Sequence, residues 1–313
     1  MPNIPNFLPF ALAVSLCMAQ DQTRIQVNVH LVNVTFNVRN STGISPPNLT
    51  KDDFEIFEDG VPQNVSFFSR STDLPLALGL IVDASGSQEH FVKDHHHDLK
   101  TFLKDVLQPR DRVFLIGFAN HIRLISDLTS SEDQILDELK EYEHHPAHFD
   151  EIGPKDEDRE LGTAFFDSIY YSATEKLAGE ETSRRALIIF SDGEENSSAH
   201  HMLDVIETLQ NQNIPLFCVR YTEYGKHGKV TARNKYGISV MARLAKESGG
   251  QDYDAREKNL SDAFHEIANE LRTSYELAYN STHTDRDGYF RKIVIRPKVS
   301  GLTVRAKTGY YPH

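Results

Sequence analysis

Three short segments of the sequence carry oxygen-bearing side chains at positions where they could bind a metal ion. In VDASGSQ, Asp83, Ser85 and Ser87 offer a carboxylate and two hydroxyls directly after an apolar run. Thr163 follows a glycine at a predicted helix start in ELGTAFFD, and Asp192 ends the apolar run ALIIFSD. Ligands of oxygen alone suit a hard cation such as Mg²⁺ or Mn²⁺. Such a set would leave the ion electrophilic, so a carboxylate from a partner could complete its shell.

The elements that must position these residues follow from the pattern of the central part of the chain. From residue 76 onward, apolar runs of strand length such as LALGLIVD and RVFLIGFA alternate with amphipathic helical patterns such as SSEDQILDELKEY. This alternation predicts an α/β fold, a Rossmann-like, doubly wound and mainly parallel sheet with helices on both faces. Ligands of such sheets bind beyond the carboxyl ends of the strands, where Asp83 and Asp192 fall.

The two ends of the chain have a different pattern, rich in short strands. Residues 24–38 alternate apolar and polar side chains, and FEIFEDG and VPQNVSFFS predict two strands around an Asp-Gly turn. YELAYNS, YFRKIVIRP and LTVRAKTGYY predict three more strands near the C-terminus. Because neither end has enough strands to be stable alone, we expect one β-sandwich-like domain with the α/β domain inserted in it. The predicted β-domain comprises residues 21–75 and 273–313, and the α/β domain residues 76–272.

The first residues of the chain predict export. Residues 7–17, FLPFALAVSLC, are apolar and uncharged but too few to span a membrane. Small and polar residues follow, so we predict a signal peptide at residues 1–20 and a secreted or periplasmic protein. Residues 1–6 contain no Lys or Arg, and a buried N-terminal strand is the alternative. No apolar run of 18 residues occurs elsewhere in the chain, so we expect no membrane span in the mature chain. Cys218 should be a buried thiol.

The charge of the chain argues against a nucleic-acid site, and the arrangement of its histidines argues against a transition-metal site. A formal net charge of −13 argues against nucleic acid, whose affinity comes from Lys and Arg on phosphate. The histidines at 95–97 are adjacent on a predicted helix, so they point in different directions and cannot all reach one ion. We interpret them, and those at 144, 145 and 148, as solvated surface.

The five candidate ligands also carry a resemblance to a known family. The pattern Asp-x-Ser-x-Ser, a Thr after a Gly and a strand that ends in Ser-Asp-Gly resembles the metal-ion-dependent adhesion site of the von Willebrand factor A (VWFA) domain. The resemblance covers about residues 76–272. Both flanking segments are also similar to those of the exported VWFA-related proteins common in acidobacteria.

The resemblance implies how the site would work. The hydroxyls would bind the metal directly, the aspartates would act through water, and an Asp or Glu carboxylate of a partner protein would complete the shell. It implies these metal ligands: Asp83, Ser85, Ser87, Thr163 and Asp192. Gln88, where the family often has Met, is expected not to touch the ligands. In the family a bound carboxylate is coupled to movement of the final helix, here about residues 259–273.

We therefore interpret the chain as an exported binding protein for cell adhesion or other protein binding, and not as an enzyme. A metal-dependent hydrolase or phosphatase that uses the same cation is the alternative, and a metal-free scaffold is a third possibility. Among residues of the three loops, only Glu194 and Glu195 could serve as a catalytic base. A haloacid-dehalogenase-type phosphatase needs a second Asp where Ser85 stands, and the Gly-x-Ser-x-Gly motif of serine hydrolases is missing from this turn.

Overall fold

The computed structural model describes residues 31–70, 72, 74–153, 162–222, 224, 229–256 and 259–313. The predicted signal peptide and the first seven residues of the predicted strand at 24–38 lie outside these ranges. In the part of the chain that the structure describes, no helix has the length and hydropathy needed to cross a membrane.

The described residues form three sheets and six α-helices. The strands are β1 (Leu31–Arg39), β2 (Phe54–Glu58), β3 (Val61–Gln63), β4 (Val65–Arg70), β5 (Leu76–Asp83), β6 (Arg112–Phe118), β7 (Ile122–Thr129), β8 (Arg184–Ser191), β9 (Leu216–Arg220), β10 (Asp252–Asp254), β11 (Tyr275–Asn280), β12 (Arg291–Pro297), β13 (Thr303–Ala306) and β14 (Gly309–Tyr310). The helices are α1 (Val92–Val106), α2 (Glu132–His144), α3 (Phe165–Tyr171), α4 (Met202–Asn211), α5 (Ala232–Ser248) and α6 (Leu260–Arg272). A π-helical turn, Ser172–Lys176, extends α3.

A six-stranded sheet in the order β10-β9-β8-β5-β6-β7 forms the centre of the α/β unit. Its strands are parallel except β7, which runs antiparallel to β6. Alternate residues of β5 point to opposite faces, and both sets are buried: Leu78 packs with α1, α2 and α6, whereas Ile81 packs with α3, α4 and α5. Burial on both faces explains why β5 is a continuous apolar run, and the predicted doubly wound fold is confirmed.

Two strands of this sheet were not predicted from the sequence. β7 shifts its register against β6 at two places between Val113 and Ile116, so its side chains do not alternate regularly between the two faces. Strand prediction depends on that alternation. β10 has only three residues, two of them aspartates, and such a segment has little of the apolar character that marks a strand.

The two ends of the chain combine into two antiparallel sheets, in the orders β13-β1-β11-β4 and β14-β12-β2-β3. β1 pairs with β11 and β13, and β2 pairs with β12, so both ends contribute to each sheet. Phe36 of one sheet meets Phe54 of the other edge-on, with ring centroids 5.2 Å apart, and Tyr275 stacks on Phe36 at 5.6 Å. These contacts make a β-sandwich core with the α/β unit inserted between β4 and β11, as the sequence predicted.

In this β-domain the predicted Asp-Gly turn is confirmed, but one predicted strand is wrong. Asp59 and Gly60 both have positive φ angles, 48° and 84°, which is the conformation an Asp-Gly hairpin turn requires. The predicted single strand LTVRAKTGYY is wrong, because β13 and β14 belong to different sheets. The chain crosses between them at Lys307 and Thr308, where the Thr308 N–H donates to the Glu247 carbonyl of α5 at 3.1 Å.

A buried carboxylate, Glu270, joins α6 to the β-domain. Its side chain accepts hydrogen bonds from Asn37 and Arg39 of β1 at 3.1 and 2.6 Å, and from Arg305 of β13 at 2.8 and 3.0 Å. Burial raises the pKa of Glu270, and the two guanidinium groups act in the opposite direction. Because its partners come from β1 and β13, this one side chain holds both ends of the chain against the last helix.

We predict that Glu270→Gln lowers the free energy of unfolding by about 3 kcal/mol, because loss of one member of a buried ionic cluster leaves the remaining charges uncompensated. Glu266→Gln is the matched control on the same helix, since the Glu266 side chain is 38% exposed and 3.9 Å from Arg39. Its cost should stay below about 1 kcal/mol. Urea unfolding measures both values, and equal losses in the two variants would show that the Glu270 cluster has no special role in stability.

Candidate metal centre

The ends of β5 and β8 lie side by side at the carboxyl edge of the central sheet. Their parallel register pairs Val82 with Phe190, which brings the next residues, Asp83 and Ser191, together. The Ser191 hydroxyl donates to Asp83 Oδ2 at 2.5 Å and accepts the Gly193 N–H at 3.0 Å. Ser191 was not among the predicted site residues, although it stands directly before Asp192 and the strand pairing makes it the neighbour of Asp83.

The segment after β5 forms a tight turn that brings both serine hydroxyls together. Asp83 Oδ1 accepts the backbone N–H of Ser85 at 2.9 Å, and the Gln88 N–H donates to the Ser85 carbonyl at 2.9 Å. The hydroxyl oxygens of Ser85 and Ser87 are consequently 3.1 Å apart. The sequence thus places a carboxylate and two hydroxyls in one short turn, as the candidate site requires.

Thr163 lies on a neighbouring loop at the same edge of the sheet. Its backbone N–H donates to the Asn196 side chain at 2.6 Å, and the next N–H, of Ala164, donates to the Ala119 carbonyl beyond β6 at 2.7 Å. Gly162 has a φ of +129°, and a Cβ there would lie 2.6 Å from the Cβ of Ser197, so this position requires glycine. The loop is therefore fixed between the segments that follow β6 and β8, and Thr163 is buried within it.

Asp192 completes the group, and it contacts the turn after β5. Hydrogen bonds from the side chains of Ser87 and Gln88 favour its charged form, but burial has the larger effect and raises its pKa. Gln88 is wholly buried, and its amide also donates to the Tyr221 carbonyl at 3.5 Å. The expectation that Gln88 would not touch the ligands is therefore wrong. The sequence indicated no role for this side chain, because only the short 3₁₀ turn that follows Ser85 points it at Asp192.

The expectation for the histidines at 95–97 is also wrong in part. His95 is only 2% exposed and packs edge-on against the Tyr221 ring, with centroids 4.3 Å apart. Burial lowers its pKa to about 4, so it is neutral at physiological pH. Of its two neighbours, His96 is half-buried and His97 is exposed. Cys218 is buried, as predicted.

The electrostatics of the group fit a cation. Burial and, to a smaller extent, the neighbouring charge of Asp192 together raise the pKa of Asp83 to about 7, although hydrogen bonds from Ser191 and Ser85 oppose this. At about 1.4 kcal/mol per pKa unit, ionising Asp83 in the metal-free protein costs on the order of 4 kcal/mol more than ionising an aspartate with the ordinary pKa. Gln88 Oε1 is also buried, and it has no hydrogen-bond partner among the described residues. Several acceptors thus converge where a positive charge would stabilise them.

The donor set is that of a hard divalent cation, because it consists of carboxylate and hydroxyl oxygens. Of the five predicted ligands, the side chains of Asp83, Ser85, Ser87 and Asp192 are linked by contacts, and Thr163 lies on the adjacent loop. No three His, Cys, Asp or Glu side chains are grouped so that they could hold a metal ion anywhere in the described ranges, so the candidate centre relies on serine and threonine hydroxyls beside its two carboxylates.

Comparisons with known proteins give structural neighbours only. No protein-family model and no curated protein matches the chain. Similar solved structures include BatB from Bacteroides thetaiotaomicron (16% identity, 63% of this chain and 100% of that chain, TM-score 0.47). A second is the SpRpn10 VWA domain, with 12% identity over 61% of this chain and 93% of that chain and a TM-score of 0.41. A third is the manganese-loaded TRAP protein of Plasmodium vivax, with 14% identity over 77% of this chain and 96% of that chain and a TM-score of 0.45. The strand order of the α/β unit, its helices on both faces and the position of the candidate centre agree with the VWFA-type fold that the sequence resemblance implies.

We predict that the protein binds one Mg²⁺ per chain and that Asp83→Ala abolishes this binding, because the carboxylate and the turn it stabilises are lost together. Asp137→Ala on α2 is the control, since Asp137 is an exposed aspartate outside the site. Titration calorimetry with Mg²⁺ measures both variants. Equal binding by the wild type and Asp83→Ala would refute the assignment of the centre.

We also predict that Asp83→Asn stabilises the metal-free protein above neutral pH. Asp83 has a pKa of about 7 when folded and 3.8 as a reference, so between these values the folded state holds more protons than the unfolded state. Stability of the wild type should therefore fall as pH rises through this window, and the fall should be shallower for Asp83→Asn. Melting temperatures in EDTA measure this, with an expected gain of about 2 °C or more for Asp83→Asn at alkaline pH. Parallel pH profiles for the two proteins would contradict it.

Proposed function

We propose that this protein is an exported binding module that captures an Asp or Glu carboxylate of a partner protein through Mg²⁺, or Mn²⁺, at the candidate metal centre. The observation that carries the proposal is the convergence of two buried carboxylates and a pair of hydroxyls 3.1 Å apart at the edge of the sheet. Asp83, Ser85, Ser87, Thr163 and Asp192 would hold the ion. When bound, it would supply the positive charge that attracts an external carboxylate.

The chain's own residues prepare the site for this role. Ser191 orients Asp83 from one side, and the Ser85 backbone orients it from the other. Gln88 and Ser87 orient Asp192. Two carboxylates balance the charge of a divalent ion without over-neutralising it, and an ion bound directly by neutral hydroxyls, with the aspartates acting through water, stays electrophilic enough to accept a further anion. With a net charge of −13, the protein itself repels acidic surfaces, and the bound cation would supply the local attraction for a carboxylate.

The state of the two glutamates after Asp192 favours binding over hydrolysis. Glu195 accepts the backbone N–H groups of Phe166, Ser197 and Ser198 at 3.0, 2.8 and 2.8 Å, so its carboxylate organises the loop and the start of α3. Glu194 forms an ion pair with Arg233. The two candidates for a catalytic base are thus engaged in structural contacts, which supports a non-enzymatic role.

Affinity capture tests the proposal. The immobilised wild type should retain proteins from the exported fraction that EDTA releases, Asp83→Ala should retain none of them, and Asp137→Ala should behave as the wild type. Substituting Asp or Glu by Asn or Gln in a captured partner should then abolish its binding. Capture that is insensitive to EDTA and to Asp83→Ala would contradict the proposal. Mg²⁺-dependent hydrolysis of a phosphate ester that is lost in Asp83→Ala would favour the hydrolase instead.

A further inference from the structure

A cleft opens beside the candidate metal centre, between the start of α1 and the end of α2. Its volume is about 530 Å³, which lies in the range of roughly 300–1,000 Å³ that is typical of ligand sites. Asp83 and Ser85 of the candidate centre are among the residues that line the cleft, together with Gly86. A carboxylate held at the metal would therefore lie beside the cleft, and groups attached to that carboxylate could reach into it.

One part of the cleft wall is apolar and held in place. Leu99 of α1 and Leu139 of α2 line it and are 1% and 5% exposed. The ring of Tyr142 forms another part of the wall and packs edge-on against Phe149, with centroids 5.6 Å apart. Gly117 permits this position, because a Cβ there would lie 2.8 Å from the Cζ and hydroxyl oxygen of Tyr142. The cleft is thus a preformed surface for an apolar group.

The charged side chains around the cleft are matched with one another. His96 of α1 lies 3.4 Å from Glu143 of α2. Arg123 donates to Glu151 at 2.7 Å and to the Phe149 carbonyl at 2.8 Å. A charged occupant would have to compete with these contacts and lose its hydration, which is costly. The lining therefore favours an uncharged apolar occupant over a second acidic or basic one.

We propose that the cleft receives a large apolar side chain, aromatic or long aliphatic, that directly neighbours the metal-binding Asp or Glu of the partner. This inference rests on the proposed function and deepens it, because the metal would fix the carboxylate beside the cleft. Consecutive Cα atoms are only about 3.8 Å apart, so in a turn of the partner, where adjacent side chains need not alternate as they do in a strand, the neighbouring side chain is within reach. Burial of a side chain of this size should increase the affinity roughly tenfold or more.

Short peptides test the proposal with the full chain. The probes are acetyl-Ala-Asp-Phe-Ala-amide and acetyl-Ala-Phe-Asp-Ala-amide, and acetyl-Ala-Asp-Ala-Ala-amide is the reference, all in Mg²⁺. We expect at least one Phe-containing peptide to bind roughly tenfold or more tightly than the reference. Its binding should shift the NMR methyl resonances of Leu99 and Leu139. Equal affinities for all three peptides, with these methyl groups unperturbed, would refute the proposal that the cleft receives an apolar side chain, while leaving the proposed function intact.

A matched pair of variants tests whether the tighter binding of the Phe-containing peptides arises in the cleft. Ala147 is exposed and lines the cleft, so Ala147→Trp should remove most of the advantage of Phe while Mg²⁺ binding stays unchanged. Ala178→Trp is the control, because Ala178 is exposed in the turn before β8, outside the cleft lining. An advantage of Phe that survives in Ala147→Trp, without shifts of the Leu99 and Leu139 methyl groups, would place the side chain elsewhere and overturn the inference.

An experiment without metal distinguishes failure of the cleft proposal from failure of the proposed function. N-acetyl-phenylalaninamide in EDTA has no carboxylate, so it reports on the cleft alone. Shifts of the Leu139 methyl groups that Ala147→Trp abolishes would support the cleft even if no peptide binds in a Mg²⁺-dependent way, and in that case only the proposed function fails. If neither this amide nor the Phe-containing peptides perturb those methyl groups, the cleft does not receive an apolar side chain.

Discussion

The in-register pairing of β5 with β8 is the constraint on which the candidate centre depends. Leu76 pairs with Arg184 at one end and Val82 with Phe190 at the other, so both strands deliver their last polar side chains to the same place. A shift of one residue would turn every side chain of a strand to the opposite face, separating Ser191 from Asp83 and breaking the burial of both apolar faces. The hydrophobic core and the polar centre are therefore specified by the same register.

The β-domain stabilises the opposite edge of that sheet and leaves the carboxyl edge open. Arg184, at the start of β8, donates to Thr35 of β1 at 3.1 Å, and Glu270 ties the end of α6 to β1 and β13. The helix movement that the resemblance implies would have to break or carry along the Glu270 contacts. Any coupling between a bound carboxylate and α6 thus involves the β-domain directly, through a buried charged cluster.

The sequence predicted those features that depend on local patterns. Apolar runs and amphipathic helices were enough to predict the parallel sheet, and the order of polar residues at strand ends was enough to place Asp83, Ser85 and Asp192 at one edge of it, where their role as metal ligands stays a prediction. Features that depend on contacts between distant segments were missed. Ser191 and Gln88 become important only when β5 and β8 are paired, and His95 is buried only because Tyr221 packs on its ring. The split of the last predicted strand depends on the crossing at Lys307, which joins two sheets that a linear pattern does not distinguish.

The strand partners of β1 have a consequence for the order of folding. Both partners, β11 and β13, follow it by more than two hundred residues, so β1 leaves the ribosome long before it can pair. At a synthesis rate of about 5–20 residues per second, the delay is roughly 10–50 s. Contacts between such distant segments make folding slow, and an unpaired apolar strand is open to aggregation in the meantime. The same delay means that the β-domain can be completed only after all residues of the α/β unit have been synthesised.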